Sequence, residues 1–205
     1  MPPTEARQGF PGLVAGLPEL PAESLDPFLD AAARCFARYG VGRTSVQDVA
    51  KEMGVNRTTV YRQVGTIENQ ALLLASRDTH RMLASLPGRV EGRFGPEALI
   101  GIIAAVVTES RAHPVLAKML TDEPDLIGSI ALSQIPQLIS NARAALTPLL
   151  EIAMQTGSLA RRDPGIVAEW LARLVGSLIL AEPVGDLHVL LAELLLPALI
   201  PAGRE

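Results

Sequence analysis

VAKEMGVNRTTVYRQV, residues 49–64, places two short apolar runs on either side of a single glycine. Val46, Val49, Ala50 and Met53 recur at intervals of three and four, which predicts a helix of about two turns, and Val60 with Val64 predicts a second. In the twenty-residue frame that begins at Val46, Ala50, Gly54 and Val60 occupy the fifth, ninth and fifteenth places. Each place has a mechanical reason: a small side chain where the helices cross, a residue that tolerates positive φ in the tight turn, and an anchor for the second helix. Ser45 and Asp48 have capping-box spacing at the first start, and Asn56 is a good N-cap for the second. The pattern predicts a helix-turn-helix.

With Val60 and Val64 turned inward, Arg57, Thr58, Tyr61 and Arg62 point outward from the part of the second helix that enters a DNA major groove in this motif. Arginine can bond guanine O6 and N7 together, threonine can touch a thymine methyl, and tyrosine can reach a phosphate. The helix starts at Thr44/Ser45 and at Asn56 favour anions. Gln47 lies on the first helix beside them and completes the candidate DNA face.

Further from the motif, Leu25, Phe28, Leu29, Ala32, Cys35, Phe36 and Tyr39 predict a preceding helix that ends at a left-handed Gly40. A longer helix carrying Leu72, Leu73, Leu74, Met82 and Leu83 follows and is expected to stop at Pro87-Gly88. Four helices thus account for 25–86, the expected DNA-binding domain. Residues 1–24, with five prolines and three glycines, read as a mobile arm. Residues 87–205 are expected to form a ligand-binding and dimerisation domain: a helix apolar on nearly every side over 98–107, a shorter one at 115–120, a long region over 125–156 divided or kinked at Pro136 and Pro148, and two last helices near 164–182 and 186–200. The fold class is all-α.

Composition agrees. The 205 residues are 48% hydrophobic, and no strand-length run alternates apolar with polar. The net charge of -4 is unevenly spread: residues 25–85 carry eight basic and six acidic side chains, residues 86–205 nine and thirteen. A local basic face can bind phosphate on an acidic chain. Cys35 has no partner for an intramolecular disulfide and reads as a buried small hydrophobe; His80, His113 and His188 stand far apart, so no metal site and no cofactor is expected. No nucleophile elbow or phosphate loop is present, and no enzyme is expected. The longest uncharged stretch, 126–142, is too polar for a membrane span, and the N-terminus lacks a basic signal region, so a cytoplasmic protein with no membrane partner is expected.

The resemblance is to a family. TSVQDVAKEMGVNRTTVYRQV, preceded by DAAARCFARYG and followed by TIENQALLLAS, resembles the N-terminal domain of the TetR family of bacterial transcriptional regulators. HPVLAKMLTDEPDL and VAEWLARLVGSLI extend the resemblance toward the C-terminus. It implies a homodimer on palindromic operator DNA, a repressor released by a small-molecule effector. Carried onto this chain, it assigns base reading to Arg57, Thr58 and Gln63, and phosphate contact to Thr44, Ser45, Thr59 and Tyr61. Two positions depart from the family: Val64 stands where an aromatic is usual, and Ile67 where a lysine is usual. The first should loosen packing by about 1 kcal/mol. The second removes one phosphate contact and bears on affinity more than specificity.

The C-terminal half supplies candidates for the other roles. Trp170, Leu174 and Leu178, with Leu187, Leu191, Leu194 and Leu195, lie on helices apolar almost all round, which predicts a four-helix interface between two copies. Met82, Ile103, Val107, Met119 and Leu138 are candidates to line an apolar effector cavity, with Arg111 and Asn141 as polar groups to orient the ligand. The competing reading is an all-helical binding protein or enzyme for a hydrophobic small molecule, with no DNA function.

Overall fold

The structure is a computed structural model, and it describes residues 19–89 and 95–200. Among them lie a 3-10 turn at Glu23–Leu25 and nine α-helices, with no strand: α1 Asp26–Tyr39, α2 Val46–Met53, α3 Arg57–Val64, α4 Ile67–Arg89, α5 Gly95–Ala112, α6 Pro114–Asp122, α7 Pro124–Gln155, α8 Pro164–Leu180 and α9 Leu187–Leu199. The expected all-α architecture is observed. Most of the expected arm lies outside the described residues.

Two boundaries differ from expectation because proline is tolerated inside these helices. α4 runs through Pro87 to Arg89 instead of stopping at Pro87-Gly88. α7 runs unbroken across Pro136 and Pro148, so of the expected division or kink the division does not occur. Gly40 has the anticipated positive φ, +91°, but ψ of 160° takes the chain into an extended exit rather than a left-handed turn.

The described residues gather into two compact units. One comprises 19–81 and 111–134; its core is built from Leu29, Cys35, Phe36, Val49, Ala50, Val60, Val64 and Leu74, with Val115 of α6. Met119 and Leu126 pack against that core, so residues 111–134, expected within the C-terminal domain, belong with the motif. Cys35 is buried as expected. The other unit comprises 82–89, 95–110 and 135–200, with a core of aliphatic side chains and Met154: Ile100, Ile103 and Val107 of α5, Leu150 of α7, Leu171 and Leu178 of α8, and Leu191, Leu195 and Leu199 of α9.

Among the described residues, no single helix is long and apolar enough to cross a membrane.

Candidate DNA interface and the residues around it

The helix-turn-helix forms by the predicted devices. Ser45 caps α2: its Oγ accepts from the Asp48 backbone N–H, while its own backbone N–H donates to Asp48 Oδ2 at 3.0 Å. The Ser45 hydroxyl and backbone N–H together hold the Asp48 carboxyl below the ordinary aspartate range. Gly54 takes φ +68°, ψ 28°, the left-handed region that a Cβ disfavours, and Val55 N–H closes the turn on Ala50 O at 3.0 Å. Asn56 then caps α3, its Oδ1 accepting from Thr58 N–H at 2.9 Å. Val60 and Val64 are fully buried, which turns the other side of α3 outward.

Arg57, Thr58, Tyr61, Arg62 and Gln63 are all exposed on that outer side, with Asn56 at its start and Thr59 half-buried at its edge. Ser45 and Gln47 are exposed on α2 nearby in sequence. Among the described residues, neither Arg57 nor Arg62 has a carboxylate at ion-pair distance, and both guanidiniums are available to an outside anion. Lys51 on α2, which the sequence pattern does not single out, is exposed beside them and also interacts electrostatically with Asp48. By contrast Arg34 is spent on Glu52 at 2.7 Å and Arg43 on Asp122 at 3.4 Å. Thr44 corrects an expectation. It is buried, and its hydroxyl donates to Gly40 O at 2.6 Å, so it braces the turn before α2 rather than presenting its side chain to a phosphate.

The two departures from the family take ordinary places: Val64 is buried in the core, and Ile67 packs against it from the first turn of α4. The end of α3 is closed by α4, where Asn69 Nδ2 donates to Val64 O at 2.9 Å and Gln70 Nε2 to Gly65 O at 3.0 Å. Deeper in α4, the buried Arg77 is held by Asp30 and Asp78, each at 2.8 Å, and by Asp26 at 3.4 Å. Burial pushes the Asp78 carboxyl up, but hydrogen bonding with His113 and Arg77 prevails and holds it below the usual range.

The expected effector residues do not form one group. Ile103 and Val107 are packed in the aliphatic core, Met82 Sδ accepts from Ser110 Oγ at 3.8 Å, Leu138 is exposed, and Asn141 Oδ1 accepts from Gln137 at 2.8 Å. Arg111 and Met119 belong to the unit that holds the motif. None of the seven lines either of two open clefts: one of about 300 Å³ bounded by Ile135, Ile139, Arg143, Glu169 and Arg173, the other of about 470 Å³ bounded by Arg38, Tyr39, Arg43 and Lys118.

The expected interface residues also divide. Leu178, Leu191 and Leu195 are buried in the chain's own core, with the half-buried Leu174 and Leu187 packed against it. Trp170 and Leu194 remain exposed, at 39% and 46%. Trp170 lies on a stripe of α8, Ile166, Trp170, Arg173, Ser177 and Leu180, that recurs at four and three and faces outward along its whole length. The outward stripe is mostly apolar but is interrupted by Arg173 and Ser177, whereas the buried side carries Val167, Ala168, Leu171 and Leu178.

The N-terminal geometry has a counterpart among known proteins. The profile described as "Bacterial regulatory proteins, tetR family" matches residues 28–68, the segment from α1 to the start of α4. The regulator AlkX of Mycobacterium tuberculosis, a helix-turn-helix transcriptional regulator, is 29% identical over 175 residues, 82% of this chain and 80% of its own. Residues 28–68 thus carry the N-terminal domain of that family, and the relatives that span most of the chain are helix-turn-helix transcriptional regulators. The fold is shared with solved members: a TetR-family regulator from Pectobacterium atrosepticum (TM-score 0.63, 17% identity, 83% of this chain and 88% of that one) and the repressor AlkX from Dietzia sp. (TM-score 0.58, 23% identity, 86% and 93%). The relatives and the fold are those of DNA-binding transcriptional regulators, not of enzymes.

Proposed function

We propose that this regulator is a cytoplasmic repressor that binds a palindromic operator as a twofold dimer and leaves it when a small apolar molecule binds the unit built on α5, α8 and α9. The outer face of α3 carries the reading: two unpaired arginines beside a threonine, a tyrosine and a glutamine, on a helix whose other side is locked in a core. Such a face is complementary to base edges and phosphates, and to little else of comparable size.

Two copies follow from the other end of the chain. Ile166, Trp170 and Leu180 on α8, with Val189, Leu194 and Ile200 on and after α9, are exposed apolar residues that a single chain leaves in water. Pairing these helices about a twofold axis buries them, and a palindromic operator with half-sites one turn apart requires two α3 helices about 34–36 Å apart. The apolar class of effector rests on the aliphatic core between α5, α8 and α9, which any inserted ligand must share. A protein of this fold, AlkX from Dietzia sp., is implicated in biodegradation of n-alkanes.

Selection from random duplex DNA tests the reading. The expected product is an inverted repeat bound by a dimer, with affinity that falls steeply as salt rises and that a medium-chain n-alkane weakens. Recovery of no preferred sequence would end the repressor reading.

A further inference from the structure

The turn Gly40-Val41-Gly42-Arg43-Thr44 leads directly into the cap of α2, and its backbone is gripped from far along the chain. Glu123, the residue between α6 and α7, places one carboxylate oxygen on each of two successive amides: Val41 N–H donates to Oε2 and Gly42 N–H to Oε1, both at 2.8 Å. Gly40, the residue before these two amides, takes φ +91°, a region that a Cβ disfavours. A Cβ at Gly40 would stand 2.6 Å from Glu123 Oε1, and one at Gly42 would stand 3.1 Å from the same atom. The pair of glycines is thus the space in which the carboxylate sits.

We propose that Glu123 is a positioning residue for operator binding, one that holds the turn before α2 and so sets the attitude of α3; the proposal rests on the operator-binding reading above. Three observations carry it. The bonds are charge-assisted and reach the backbone itself, so they place the chain rather than a side chain. Asp122, next to Glu123, adds a bond from Arg43 at 3.4 Å, so two consecutive carboxylates hold one turn. At the far end of α6, His113 Nε2 lies 3.0 Å from Asp78 Oδ2 on α4, the helix whose Asn69 and Gln70 close the end of α3. The motif is therefore tied before α2 and after α3 to elements joined through α6. Loss of the Glu123 tie frees only the front end, which changes how α3 meets the groove while its arginines stay in place.

Glu123→Ala, Glu123→Gln and Gly42→Ala test this, with operator affinity at several salt concentrations and amide exchange at Val41 and Gly42 measured together. Glu123→Ala is expected to weaken operator binding about tenfold, with the salt slope of the parent, because no phosphate contact is removed. Glu123→Gln, which keeps one acceptor, should fall between the two, and both variants should lose protection at Val41 and Gly42 while core amides keep theirs. Gly42→Ala shifts the carboxylate by a few tenths of an ångström with Glu123 intact and should lower affinity in the same way. If Glu123→Ala fails to fold, the other two variants carry the comparison. Variants that lose protection at these amides yet bind operator within twofold of the parent overturn the proposal. A parent protein that binds no duplex DNA overturns the operator reading instead, so the two failures are told apart.

Discussion

Helices α3 and α8 each bury one face and show the other to solvent, and the two outward faces are opposites. On α3 the exposed residues are arginine, threonine, tyrosine and glutamine around a capped N-terminus; on α8 they include isoleucine, tryptophan and leucine on one stripe. The inward faces are alike, valine in one and leucine with valine in the other. What a helix is for is thus written on the side that does not fold it. A polar outward face with unpaired cations suits a polyanion, and an apolar outward stripe suits a second copy of itself.

The largest effect that would break this comparison is at the α8 stripe. Ile166→Asp combined with Trp170→Asp places two carboxylates where apolar contact is expected, and dimer affinity should fall at least about 100-fold, read by sedimentation equilibrium. A chain that stays dimeric would place the interface elsewhere. Next comes α3: Arg57→Ala should weaken operator binding by about 1–3 kcal/mol and relax discrimination at one base pair per half-site, leaving the dimer unchanged. Equal loss on all sequences would make Arg57 a phosphate contact instead.

A smaller effect separates the motif's scaffold from its surface. Ser45→Ala removes the cap on α2 and should lower folding stability by about 1 kcal/mol in denaturant titration, with the α8 stripe and the dimer unaffected. The last contrast is in acid. The Asp78 carboxyl, faced by Arg77, Arg81 and His113, titrates below its ordinary value in the folded protein. Its contribution is present above the ordinary aspartate pKa of about 3.9 and fades as pH falls through the lowered folded value. The unit holding the motif should therefore lose exchange protection first on acidification, the aliphatic core of α5, α8 and α9 holding longer, and Asp78→Asn should narrow the gap.

Much of the N-terminal unit was legible from residue types alone, because its devices are local. A serine with an aspartate three residues on, a glycine at a left-handed turn and an asparagine before a helix act within a few residues of themselves. The outward arginines followed once Val60 and Val64 were assigned inward. Glu123 was not legible: its partners lie 82 and 81 residues away, and only the pair of glycines that make room for it leaves a trace in sequence. Thr44 was misread for the related reason that a hydroxyl beside a helix start serves a phosphate or its own backbone equally well.

In the C-terminal half the balance reverses. The order of residues by itself determined that α8 and α9 are helices and that they are too apolar for solvent, because helical spacing and side-chain hydrophobicity are properties of the sequence as written. Which apolar residues close the core and which stay exposed was decided only in three dimensions: Leu178, Leu191 and Leu195 went inward, while Ile166, Val189 and Leu194 stayed out. On a helix apolar all round, sequence sets the period but not the phase, and the phase is settled by which neighbouring helices arrive to cover it.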